Sequence, residues 1–221
     1  MTIHHHPSDE LLLDYSTGAL GETWSLAIAT HLALCPLCRG AVADMEALGG
    51  SLLTDLPPEP MSAGAIDAVM ARLDEGVAAD GAVPVSAPPP DAATAILPQP
   101  LRGYVGGDVG DIQWQRLGLG AYQLIVPTAD DGVTARLLRI PAGRPMPTHT
   151  HRGLELTLVL AGAFSDATGH YGRGDLQEAD DSLEHKPHAA PGEDCICLAV
   201  TDAPLRFKSV AARILQPLIG I

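Results

Sequence analysis

Gly143-Arg-Pro-Met-Pro-Thr-His149-Thr-His151-Arg-Gly-Leu-Glu155-Leu-Thr-Leu-Val-Leu-Ala-Gly162 decides how this chain is read. Its fixed positions follow G-x5-H-x-H-x3-E-x6-G, from Gly143 through His149, His151 and Glu155 to Gly162. Side chains two apart on a β-strand project from one face, so an extended backbone aims both imidazoles the same way. Glu155 adds a carboxylate, and the glycines at either end permit tight turns. Three such donors inside a small β-structure need a fourth from a neighbouring strand. His185, in Asp180-Asp-Ser-Leu-Glu-His185-Lys-Pro-His188, is the expected one, ahead of His188 and then His170. Zinc is the expected ion, although three imidazoles and a carboxylate also suit manganese, iron or nickel.

The surrounding sequence alternates in short apolar runs at 121–126, 133–140, 155–160, 195–201 and 205–208, punctuated by Gly, Pro and Asp. Many short strands without intervening helices predict an all-β sandwich or barrel over residues 101–221. In Cys195-Ile196-Cys197 both thiols face one side of a strand. A disulfide between such neighbours is strained, so the pair serves either as small core residues or as thiols open to oxidation. Residues 78–100 are rich in Pro and Ala, with three consecutive prolines at 88–90, and read as an extended linker.

Residues 1–77 read as helical. Ser8 suits an N-cap before Asp9 and Glu10, and Leu11, Leu12 and Tyr15 follow at helical spacing. A second helix spans 22–34, with Trp24, Ile28 and Leu32 on one stripe. A third starts at Pro36 and is expected to stop at Gly49-Gly50. A fourth covers 63–75, with an apolar face of Ile66, Val69, Met70 and Leu73. Roughly 75 residues in four short helices are marginal without a staple.

His31-Leu-Ala-Leu-Cys35-Pro-Leu-Cys38 supplies that staple. Residues four apart stack on one helix face, and Cys38 follows a helix restart whose free N–H groups and dipole favour thiolates. Three soft donors then converge as tetrahedral zinc requires. The fourth comes from His4, His5 or His6, of which His6 lies nearest the first helix. No open coordination position is implied, so this zinc is structural. The expected fold class is a two-domain α + β chain: a zinc-stapled four-helix domain over 1–77, a linker over 78–100, and an all-β domain over 101–221.

Of the 221 residues, 46% are hydrophobic and 18% charged, which supports a real core. The net charge of −14 argues against direct nucleic-acid binding. Residues 1–77 carry 11 acidic and 2 basic side chains, a net of −9, which suits a basic protein partner. No apolar run approaches the roughly 20 residues of a membrane span, and the first residues lack a signal-peptide pattern. The expected location is the cytosol, where four cysteines serve as metal ligands or free thiols rather than as disulfides.

The segment 143–162 fits the first metal motif of the cupins at every fixed position. The His6, His31-x-x-x-Cys35-x-x-Cys38 set resembles the zinc-binding anti-sigma domains. Helices, Pro-rich linker, cupin motif and Cys-x-Cys together resemble the ChrR-type zinc-binding anti-sigma factors along the whole chain. That resemblance implies a cytosolic anti-sigma factor that holds an extracytoplasmic-function (RpoE-type) sigma factor inactive and releases it on exposure to singlet oxygen or a related oxidant. It further implies that the helical domain suffices for inhibition and that the cupin domain is needed for the response. The competing reading is a metal-dependent cupin enzyme, a dioxygenase or isomerase, with an appended zinc domain.

Overall fold

Leu156, Leu158 and Leu160 alternate with Glu155, Thr157 and Val159, and in the computed structural model both faces of this strand are buried. The structure describes residues 2–74, 94–118, 120–204, 206 and 207. The expected linker lies outside these residues as far as position 93, as do Leu205 and Lys208 of the last expected strand.

The central strand, β5 (Glu155–Ala161), sits inside a six-stranded antiparallel sheet. Its order is β1 (Gln115–Gly118), β2 (Ala121–Val126), β3 (Thr134–Ile140), β11 (Cys195–Thr201), β5 and β8 (Leu176–Ala179). One three-stranded sheet holds β10 (His188–Ala189), β6 (Ala163–Ser165) and β7 (His170–Gly172). Another holds β12 (Arg206–Phe207), β4 (His149–Thr150) and β9 (Glu184–His185). The β architecture matches the sequence pattern, but the three sheets are not closed into one barrel. Prolines account for the interruptions. Pro145 and Pro147 precede β4, and Pro187 separates β9 from β10; a residue without an N–H cannot carry a ladder onward. Gly162 turns β5 into β6 at a φ of 63°, and a Cβ there would lie 2.5 Å from the Asp194 carbonyl oxygen.

The four expected helical segments form α1 (Asp9–Ser16), α2 (Glu22–Leu34), α3 (Pro36–Thr54) and α4 (Ala65–Asp74). The Ser8 hydroxyl accepts from the Leu11 N–H, with Asp9 and Glu10 complementing the dipole of α1. The third helix runs through Gly49-Gly50 to Thr54 instead of stopping there. Glycine costs a helix only about 1 kcal/mol per residue and does not by itself end it.

Burial in α2 extends well beyond one stripe. Leu26, Ala27, Ile28 and Leu32 are all buried, because the helix lies between β5 and β11 on one side and α5 (Gln99–Val105) on the other. Ile28 and Leu32 share a core with Leu97, Leu101, Leu156, Leu158 and Leu198, as expected of a helix that is apolar on most sides. The short helix α5 begins in the last two residues of the expected linker and runs into the segment expected to be all-β, with Pro100 in its first turn and a left-handed Gly106 at its end. Its Leu101 is fully buried in the same core. In α4, Ile66, Val69, Met70 and Leu73 are 52–68% exposed.

By packing, the chain forms two units: Met1–Glu46 with Ala95–Ile221, and Ala47–Thr94. Among the described residues no single helix is long and apolar enough to cross a membrane.

Candidate metal centres

The ladder between β4 and β9 sets His149 directly opposite His185. His151 follows two residues on, and Glu155 opens β5, so all four side chains converge and all four are buried. His149 Nε2 stands 2.9 Å from His185 Nε2, and His151 Nε2 stands 3.1 Å from it. His151 Nδ1 lies 3.7 Å from Glu155 Oε2.

The partners of the other ring nitrogens decide what this cluster fits. A carbonyl oxygen only accepts, so His149 Nδ1 donates to Pro147 O at 2.9 Å and its Nε2 carries a lone pair. His185 Nδ1 donates to Asp166 Oδ2 at 2.7 Å, and its Nε2 is likewise a lone pair. Two lone pairs 2.9 Å apart repel unless a cation lies between them. Burial pushes both His149 and His151 down to about 4, which disfavours a proton on either ring. A metal ion fits: bonds of about 2.1 Å at the right angles of octahedral coordination leave donor atoms about 3.0 Å apart. Burial pushes Glu155 up to about 7, with the Thr157 hydroxyl, 3.1 Å from Oε1, acting the other way. A divalent ion would favour its carboxylate form.

The second cluster belongs to the helices. Cys35, extended at φ −108° and ψ 102°, closes α2, and Pro36 opens α3. The sharp break brings Cys38 back toward His31. His31 Nε2 is 3.3 Å from Cys38 Sγ, and His6 Nδ1 is 3.4 Å from Cys35 Sγ and 3.3 Å from Cys38 Sγ. Tetrahedral zinc with bonds of about 2.0–2.3 Å places its donors about 3.3–3.8 Å apart. His31 Nδ1 donates to the Gly174 carbonyl at 2.9 Å, which leaves Nε2 as the lone pair facing the cysteines. Burial pushes His31 down to about 4, which keeps it neutral. Burial, reinforced by the neighbouring Cys35, pushes the Cys38 thiol up to about 12. A cation reverses that penalty by pairing with the thiolates. Both donor sets therefore fit a metal ion.

The structure brings together two sets of four: His6, His31, Cys35 and Cys38, and His149, His151, Glu155 and His185. It places the alternatives elsewhere. The backbone N–H groups of His4 and His5 donate to Asp175, and the His5 ring packs against Tyr171 at a tilt, with ring centroids 4.2 Å apart. His170 is exposed and bonds Ser165, and His188 is exposed on β10. Cys195 and Cys197 are buried free thiols on β11, outside both clusters. A hydrogen bond with Cys195, together with burial, holds Cys197 well above the usual thiol range.

Sequence reasoning missed the groups that orient the ligands. Asp166 holds His185, the Pro147 carbonyl holds His149 and the Gly174 carbonyl holds His31. Asp166-x-Thr168 reads as an Asx turn, and both the Thr168 N–H and its hydroxyl do bond Asp166 Oδ1. Nothing local links that turn to a histidine 19 residues away.

Comparison with known proteins agrees with this architecture. Residues 103–204 match the ChrR cupin-like domain. The chain is 48% identical over its full 221 residues, and over the full length of the relative, to "Anti-sigma-E factor ChrR" of Cereibacter sphaeroides. It also resembles a chain in the crystal structure of Rhodobacter sphaeroides SigE in complex with the anti-sigma ChrR, at 47% identity and a TM-score of 0.77. That match covers 91% of this chain and all of the other. On fold, donor geometry and full-length identity, the chain belongs to the ChrR family of anti-sigma factors.

Proposed function

We propose that this protein binds an extracytoplasmic-function, RpoE-type sigma factor in the cytosol and keeps it inactive, with residues 1–77 supplying the binding surface. Its role is regulatory rather than catalytic. In this reading zinc at His6, His31, Cys35 and Cys38 fixes the helical part. A metal ion, with zinc favoured, sits at His149, His151, Glu155 and His185 in the cupin domain 101–221. Singlet oxygen or a related oxidant acts on the cupin domain, and the sigma factor is released.

One observation carries the binding surface. Leu48, Leu52, Leu53, Ile66, Met70 and Leu73, on α3 and α4, are all more than half exposed. With Val69, also more than half exposed, they make seven such side chains within 26 residues, which exceeds the scatter of single apolar residues normal on a surface and marks an interaction site. The strongly acidic balance of 1–77 suits a basic partner. The full-length relative named as an anti-sigma factor supports the same reading.

The test is transcription from a sigma-dependent promoter with purified components. Wild type inhibits. Leu52→Glu and Met70→Glu, which alter exposed positions and leave the fold intact, weaken inhibition by tenfold or more, about the effect of removing interface hot spots. Full inhibition by both variants would exclude this surface. A wild-type chain that inhibits but never releases sigma under singlet oxygen would exclude the oxidant response.

A further inference from the structure

We infer that the turn 172–177 of the β-structure is a strut shared by both cages, so that a metal ion in one favours a metal ion in the other. The inference rests on reading both clusters as metal centres. The turn touches the helical cage through three groups. The Gly174 carbonyl accepts from His31 Nδ1 at 2.9 Å. Asp175 Oδ1 accepts from the His4 and His5 N–H groups at 2.7 and 2.9 Å, and the Leu176 N–H donates to the His5 carbonyl at 3.1 Å. Those bonds fix the chain immediately before His6, so Asp175 is a positioning residue for that ligand. Gly174 has a φ of 88°, and a Cβ there would lie 2.6 Å from Ile3, so no larger residue keeps this approach.

Two residues further on, the same turn supports the other cage. Gln177 Nε2 donates to Asp166 Oδ2 at 2.8 Å, and Asp166 Oδ2 accepts from His185 Nδ1 at 2.7 Å. Opposite β8, Thr157 pairs with Gln177 and its hydroxyl donates to Glu155. Gly174 and Asp175 thus orient two ligands of one cage, and Gln177 braces two ligands of the other. Groups that orient ligands typically change metal affinity 10–100-fold when removed. Two sites that share such a support are coupled, and the coupling is reciprocal.

Cobalt(II) titration of the full-length chain tests this, because thiolate-to-cobalt charge-transfer absorption reports the Cys35/Cys38 cage alone. His149→Ala/His151→Ala, which empties the other cage, should weaken cobalt binding at the thiolate cage about fivefold. Asp175→Ala should weaken it about tenfold. The combined variant should be weaker than Asp175→Ala alone by clearly less than the fivefold seen in the wild-type background, since Asp175→Ala removes part of the strut and leaves the Gly174–His31 and Leu176–His5 bonds. Asp175→Asn keeps an acceptor for His4 and His5 but loses the one that Asp175 Oδ2 offers the Gly172 N–H at 2.8 Å, and should recover part of the binding lost in the alanine variant. Effects that simply multiply, an Asp175→Ala variant with unchanged affinity, or an asparagine variant as weak as the alanine one would each overturn the strut alone. A wild-type chain that never develops the absorption would overturn the metal reading and the strut with it.

Discussion

Asp166 illustrates how one carboxylate is kept charged inside a protein. Burial raises its pKa, but hydrogen bonds from Thr168, Gln177 and His185 outweigh that and hold it at about 2. It stays ionised at every physiological pH and fixes the His185 tautomer with Nε2 free. Asp166→Ala should lower metal affinity at the cupin cage by about tenfold or more and weaken the thiolate cage by no more than about fivefold, as isothermal titration of each cage will record. Glu155 behaves in the opposite sense. Its metal-free pKa of about 7 means that a proton competes with the ion below neutrality. Affinity at this cage should therefore be insensitive to Glu155 above about pH 8 and fall as pH drops below 7, by up to about tenfold per unit. A flat profile between pH 8 and 6 would remove Glu155 from the ligand set. For the buried Cys195 and Cys197, alkylation in the native protein should be slow and become fast only on denaturation.

At the scale of elements, β5, β11 and α2 hold the molecule together. Ile28 is fully buried between α2 and the six-stranded sheet, in one core with Leu156, Leu158 and Leu198. Ile28→Ala should cost about 2–5 kcal/mol, measured by denaturant unfolding with the slope unchanged. Most of these elements were legible in the sequence, because periodicity is local: β2, α2 and β11 fall on the runs that alternation and helical spacing predict. What was not legible is nonlocal. Trp24, Ile28 and Leu32 announce one buried stripe, but only the sheet and α5 explain why Leu26 and Ala27 are buried too. The apolar face of α4 reads as core in any sequence pattern, since periodicity cannot distinguish a core face from a docking face. The candidate ligands were legible for the same local reason, through spacings of two and four residues. Gly174, which supports His31, lies 143 residues away, and no spacing rule reaches that far.

For the whole molecule, helices and sheets share one core in the unit Met1–Glu46 with Ala95–Ile221, and Ala47–Thr94 forms its own unit, whose described part carries the exposed apolar residues of α3 and α4. Both clusters of four donors fall in the first of these units. Elemental analysis of freshly purified full-length protein tests this account most directly. It predicts two ions per chain, one for each cluster of four donors, falling to one in Cys35→Ala/Cys38→Ala and to one in His149→Ala/His151→Ala. A wild-type chain carrying well under one ion, or a double variant that loses none, would contradict it.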